Sequence, residues 1–238
     1  MLSRHDYRVF LSLVAGALAL VAFSLNVRPA HADRVELSLG STTHKARSDS
    51  MDALGDYEIT AVSLTAATRV PWLRLGSTEA LFELGLDAGA MLGESFQTME
   101  TDTSLVIGSA GMRLRHSLTA RLVASGRGAL GLARLGVRLS DRASRVDALE
   151  DHAYTMSAQV AGALDFYLLR QAGEGKNPRM GLGLRAEVGY LAVAPVELFG
   201  TPESRDDSDV LRIPLAAASL GQLDPSAWTF RFAVIGRF

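Results

Sequence analysis

The sequence predicts an all-β fold, an eight-stranded antiparallel up-and-down transmembrane β-barrel over residues 33–238, preceded by a removable leader at residues 1–32. Three observations predict it. Apolar residues recur at every second position through most of the chain, a spacing that lines one face of a strand and would be scattered around a helix. The opposite positions are rich in Gly and Ser with isolated charges, unlike the dense Lys/Glu of a solvated surface. Short and long connections alternate, as they do in membrane barrels.

The leader has three parts in order. Arg4, His5 and Arg8 form a basic start, Val9–Leu25 is apolar, and Ala30-His31-Ala32 fits a small-x-small cleavage site. Cleavage after Ala32 removes 32 of 238 residues and leaves 206; Arg4, Arg8 and Arg28 depart with Asp6, taking the formal net charge from −2 to −4. The competing reading is an uncleaved membrane helix, but an apolar run of 17 residues lies at the short end of what spans a bilayer. Export without a single cysteine points to a bacterial envelope rather than to a disulfide-stapled secreted domain.

The strands follow in chain order. Arg34–Gly40 sets Val35, Leu37 and Leu39 against Glu36 and Ser38. Val62–Trp72 sets Val62, Leu64, Ala66, Val70 and Trp72 against Ser63, Thr65 and Arg69. Ala80–Leu92 alternates Phe82, Leu84 and Leu86 with Glu83, Gly85 and Asp87, and Leu105–Arg115 alternates Met112 and Leu114 with Gly111, Arg113 and Arg115. Arg121–Leu139 begins with Leu122, Ala124, Leu130 and Leu132 in phase, then shifts to Leu135, Val137 and Leu139; a β-bulge or departure from the membrane accounts for the shift. His152–Leu169, Met180–Leu198 and Trp228–Phe238 complete the eight, the seventh being an unbroken run of ten apolar even-numbered residues. Long polar connections are expected at Ser41–Tyr57, Gln97–Thr103, Asp141–Asp151 and Phe199–Ser226. Short ones are expected near Gly76–Glu79, His116–Thr119 and Gln171–Arg179.

A soluble barrel would turn its apolar rows inward, so the polar face decides the matter. Its charges balance: Glu36, Glu83, Asp87, Asp165 and Glu187 against Arg69, Arg113, Arg127, Arg185 and Arg231. Inside a narrow barrel such groups lose hydration and need partners. Arg outnumbers Lys by 22 to 2, a bias suited to planar, permanently charged groups in buried pairs. An open sheet edge in hydrocarbon would strand backbone N–H and C=O groups at several kcal/mol each, so the sheet is expected to close.

The ending Trp228-Thr-Phe230-Arg-Phe232-Ala-Val234-Ile-Gly-Arg-Phe238 looks like the C-terminal signature of bacterial outer-membrane barrels, with Gly236 where a bulky residue is usual. Through this motif and its architecture, the chain resembles small outer-membrane β-barrels of the OmpA/OmpX type. The resemblance implies an outer-membrane location and recognition of Trp228, Phe230, Phe232, Val234 and Phe238 by the outer-membrane assembly machinery. It also implies contact with outer-membrane lipid and lipopolysaccharide. Without a peptidoglycan-binding domain after the barrel, no tether to the cell wall is expected.

Chemistry is sparse. The absence of cysteine excludes disulfides, thiol nucleophiles and cysteine zinc sites, and the charge balance and lack of basic runs argue against nucleic acid. Outside the leader, His44 falls in the first long connection, His116 in a short turn and His152 at a strand start, none at metal-ligand spacing. No Gly-x-Ser-x-Gly or Walker A motif occurs, and no Gly-x-Gly-x-x-Gly stands in a strand–helix context, so neither an enzyme nor a cofactor is expected. A lipid A acylhydrolase is the enzymatic alternative; His152 is its candidate base, but Ser157 lies on the other face of its strand. Glu203, Asp206, Asp207 and Asp209 could meet a cation, though without EF-hand spacing. Trp72, Tyr190 and Trp228 are candidates for interfacial girdles. Eight strands leave an interior that side chains can fill, so a narrow pore is the weaker alternative to a plugged, monomeric barrel that presents its loops.

Overall fold

The computed structural model describes residues 35–46, 58–75, 77–95, 99–141, 148–170, 181–202 and 218–237. The leader, Phe238 and the acidic run from Glu203 to Asp209 lie outside them. Among the described residues ten strands are formed: β1 (Val35–Ala46), β2 (Glu58–Leu75), β3 (Thr78–Ser95), β4 (Met99–Ser117), β5 (Leu122–Asp141), β6 (Leu149–Arg170), β7 (Gly181–Val193), β8 (Val196–Pro202), β9 (Ala218–Leu223) and β10 (Ala227–Arg237).

Eight of them close a ring. Neighbouring strands pair antiparallel in the order β5-β4-β3-β2-β1-β10-β7-β6, and β6 returns to β5. The register fixes the barrel's shape. Followed from partner to partner, Glu36 leads to Ala67, Glu83, Gly111, Ala129, Gln159, Leu191 and Ala227, then back to β1 at Ala46. One circuit therefore climbs ten residues along β1. With a strand rise of about 3.3 Å and strands about 4.8 Å apart, that stagger requires a tilt of about 40° and a backbone radius of about 8 Å.

β8 and β9 form a hairpin outside the ring, joined to it through Leu149↔Pro202 and Glu150↔Thr201. The expected seventh strand is thus cut in two at Ala194-Pro195. Pro195 has no N–H for a ladder, and beyond it Val196 and Leu198 turn inward and are buried. The expected polar connection from Phe199 to Ser226 contains the rest of this hairpin.

Two further expectations are corrected, the first in one of its two readings. Of a bulge or a departure from the membrane in β5, the bulge is overturned: β5 holds one register against β4 from Val123 to Asp141 and against β6 from Leu122 to Leu139. Its shift of apolar phase arises because Leu135 and Val137 face a buried apolar core inside the ring. The strands also run further than their apolar rows: β1 continues to Ala46, β4 starts at Met99 and β6 at Leu149. Of the connection expected at Gln97–Thr103, the part from Met99 is strand, and Thr101 and Thr103 point into the barrel and pair with Leu139 and Val137.

Alternation now has a direction. On β10, Phe232 is 70% exposed and its neighbour Arg231 only 2%. Exposed Leu39, Phe82, Leu84, Leu130, Leu132, Val160, Leu164, Leu184, Val188 and Phe230 form a continuous apolar band outside the ring. On β5 the band runs from Leu122 to Leu132, ending before outward-facing Arg134, a height of about 25 Å at the derived tilt.

Candidate functional site

Each strand delivers its inward charge by the period of two, and the ten-residue stagger brings those charges to a few heights within the ring. Two balanced clusters result. Towards the short-turn end, Arg185 Nε and Nη2 donate to Asp165 Oδ1 and Oδ2 at 2.7 and 2.8 Å, and Nη2 also reaches Glu36 Oε1 at 2.6 Å. Arg115 Nη1 donates to Glu36 Oε2 at 2.9 Å. Its Nη2 donates to the Tyr167 hydroxyl at 2.5 Å, while its guanidinium lies 5.5 Å from the centre of that ring.

Above them, Arg113 donates through Nε to Glu83 at 2.6 Å and through Nη2 to Glu187 at 2.8 Å. Arg127 Nε stands 2.8 Å from Glu83, and its Nη1 donates to Glu187 at 3.3 Å. Arg231 Nη2 donates to both Asp87 oxygens at 2.8 and 3.0 Å, Nε donates to the Thr42 hydroxyl at 2.9 Å, and Nη1 is 3.5 Å from Glu187. Ser125 and Ser109 accept further bonds from Arg113 and Arg127.

All ten ionic groups are buried. Glycine makes room for them: a Cβ on Gly85 would lie 2.7 Å from Ser109 Oγ and 3.2 Å from Arg127 Nη2. The lumen is bounded at both ends. Val123, Tyr167 and Ile235 form a small apolar floor. At the other end, Ile59, Leu105, Ile107, Ala133, Leu135, Val137, Leu191 and Val193 pack with Val196, Leu198 and Leu223 of the β8–β9 hairpin.

Glu83, Asp87, Arg113, Arg127, Asp165, Arg185, Glu187 and Arg231 therefore meet in the lumen, with Glu36. Arg69 stays out of this network, half-buried at the turn end of β2 with its Nε unpartnered. Arg115 and Tyr167 take part but were not singled out from the sequence. Arg115 was legible as an inward position; its role was not, because its acid partner lies 79 residues away. Trp228, Phe230, Phe232 and Val234 all face outward and are exposed. Trp72 is 82% exposed at the turn end, and Tyr190 packs edge-on against Trp228, their ring centres 5.5 Å apart.

Two histidines are relocated. His44 lies on β1, inward and buried, instead of in a loop; His116 is on β4. His152 faces outward near the loop end, edge-on to Tyr154, while Ser157 is buried on the lumen side. The hydroxyl near His152 on the outer wall is that of Ser104, which sits across Gly136: a Cβ there would lie 2.6 Å from Ser104 Oγ and 3.9 Å from His152 Cβ.

Chemically the lumen is a neutral ionic plug. Each carboxylate already accepts from a guanidinium, and Arg cannot serve as a base. Among the described residues no group of three or more His, Asp or Glu is placed to hold a metal ion.

No family model matches the chain, and no curated protein is similar to it in sequence. Among solved structures it is similar to the crystal structure of Ail, the attachment invasion locus protein of Yersinia pestis, with 12% identity, a TM-score of 0.46 and coverage of 87% of this chain and 99% of that one. It is equally similar to Ail in complex with the heparin analogue sucrose octasulfate, with 11% identity, a TM-score of 0.46 and coverage of 86% and 98%.

Proposed function

We propose that the protein is a monomeric outer-membrane β-barrel of the OmpA/OmpX type. Its lumen is closed, and it serves envelope integrity or surface interaction through the loops at its long-connection end. The single observation that carries this reading is the distribution of polarity across the wall. The outside is an apolar band about 25 Å tall, the height expected of a membrane barrel. The inside at the same level holds five Arg and five carboxylates in mutual contact. No soluble protein gains by exposing the first and burying the second.

On this reading the leader is cleaved after export, the exposed C-terminal row is offered to the assembly machinery, and lipid and lipopolysaccharide cover the band. The plug speaks against free conduction, since an eight-stranded interior is just wide enough to be filled by side chains. The acylhydrolase alternative gains a hydroxyl in Ser104 but no hydrogen bond between it and His152, so the closed barrel is the better-supported reading.

Fractionation combined with gel mobility tests it. The protein should sediment with outer membranes and run faster unboiled than boiled in SDS, and the pure protein should give no stepwise conductance at neutral pH. Recovery in the soluble periplasmic fraction would overturn the membrane assignment; steady conductance would overturn the closed lumen.

A further inference from the structure

His44 is the one inward histidine of the described ring, and it stands where the charged part of the lumen gives way to the apolar part. It is 2% exposed, and neither ring nitrogen has a hydrogen-bond partner. The strands beside it offer Ile59 and Thr229 as paired neighbours. At the same height β4 and β7 present Ile107 and Leu191, both buried. The charged groups that face it among the described residues are Asp87 from β3 and Arg231 from β10. Those two are already joined to each other, and Thr42, one inward step below His44, holds Arg231 Nε.

We propose that His44 makes the lumen plug acid-sensitive, a proton on its imidazole loosening the seal between the charged and apolar parts. The inference rests on the closed-lumen reading. With His44 neutral, five Arg and five carboxylates cancel. A proton adds an uncompensated charge beside Arg231 and turns the acceptor nitrogen into a second N–H donor, leaving both donors with no acceptor in place. Asp87 can answer only by giving up part of its contact with Arg231; otherwise water must enter beside Ile59 and Leu191. Either response weakens the plug. In the unfolded chain the same imidazole takes up its proton freely at about pH 6.5. Acid therefore favours the unfolded state, by up to about tenfold per pH unit below that point. His116 and His152 are exposed on the outer side of the wall.

The test compares the wild type with His44→Gln at pH 7.5 and 5.0, following thermal unfolding by gel mobility and conductance in planar bilayers. The wild type should melt at a lower temperature at pH 5.0 and show stepwise openings only there, whereas His44→Gln should melt alike at both. Equal pH responses in the two proteins, or none in the wild type, overturn the proposal. Should His44→Gln fail to fold, the wild-type His44 C2–H resonance decides: in the folded protein it must titrate below the pH at which a free imidazole does, and a resonance that titrates like a free imidazole refutes the proposal. Conductance at pH 7.5 would defeat the closed-lumen reading itself; a lumen silent at both pH values, with a wild-type melting temperature that does not move, defeats only the acid-sensitive step.

Discussion

The barrel has two ends built on opposite rules. Through the level of the apolar band, the wall is apolar outside and ionic inside. Towards the loop end it reverses. Leu135 and Val137 of β5 are buried inside, while outward positions on β4, β5 and β6 carry Asp102, Arg134, Arg138, Glu150 and His152. The upper part is organised as a water-soluble barrel, its mouth stoppered by the β8–β9 hairpin; the lower part is organised as a membrane barrel. One continuous ladder from Val123 to Asp141 serves both, because backbone pairing is indifferent to which face is wet. The difference teaches that polarity in this chain follows the surroundings at each height, not the strand as a unit.

The comparison can be broken at either end, and the largest effect is expected in the ionic part. Arg113 is wholly buried between Glu83 and Glu187, so Arg113→Ala leaves carboxylates without their cation and should cost about 3–5 kcal/mol. Urea unfolding of the vesicle-inserted barrel measures it; a loss near zero would mean that water already fills the network. In the upper part, Leu135→Ala removes a fully buried side chain from an apolar core and should cost about 2–5 kcal/mol by cavity formation, with no change in conductance at neutral pH. A smaller loss in the same unfolding assay would show that the hairpin collapses into the space. The smallest effect belongs to Arg237, which is partly exposed at the turn end and lies 3.0 Å from Glu79. Arg237→Ala should cost under about 1 kcal/mol, so that a loss comparable to that of Arg113→Ala would erase the distinction between buried and rim pairs.

Much of this was readable from residue order. The outward rows, such as Phe230-Phe232-Val234 and Leu164-Phe166, are legible because a strand with one apolar and one polar face keeps a period of two along its length. Their charged opposites, from Glu83 to Arg231, are legible as inward for the same reason. Which charges meet was not legible: Glu36 joins Arg185 across 149 residues, a pairing set by ring closure and stagger. Leu135 and Val137 read as a bulge in β5 or as its departure from the membrane, without a core to face, because their inward apolar partners, Leu191, Val193 and Leu198, sit on strands distant in sequence. His44 read as a loop residue because Ser41, Thr42 and Thr43 look like a turn until β2 and β10 pair with them.

By itself, then, the sequence determined the alternation, the composition of each face and the balance of acid and base, since these are properties of neighbours along a strand. Only the tertiary structure decided the ten-residue stagger, the grouping of ten charges into two neutral clusters, the reversal of polarity towards the loops and the burial of His44. Each of these depends on which residues closure of the ring brings to a common height, and that is fixed by pairing between strands, which no stretch of one strand contains.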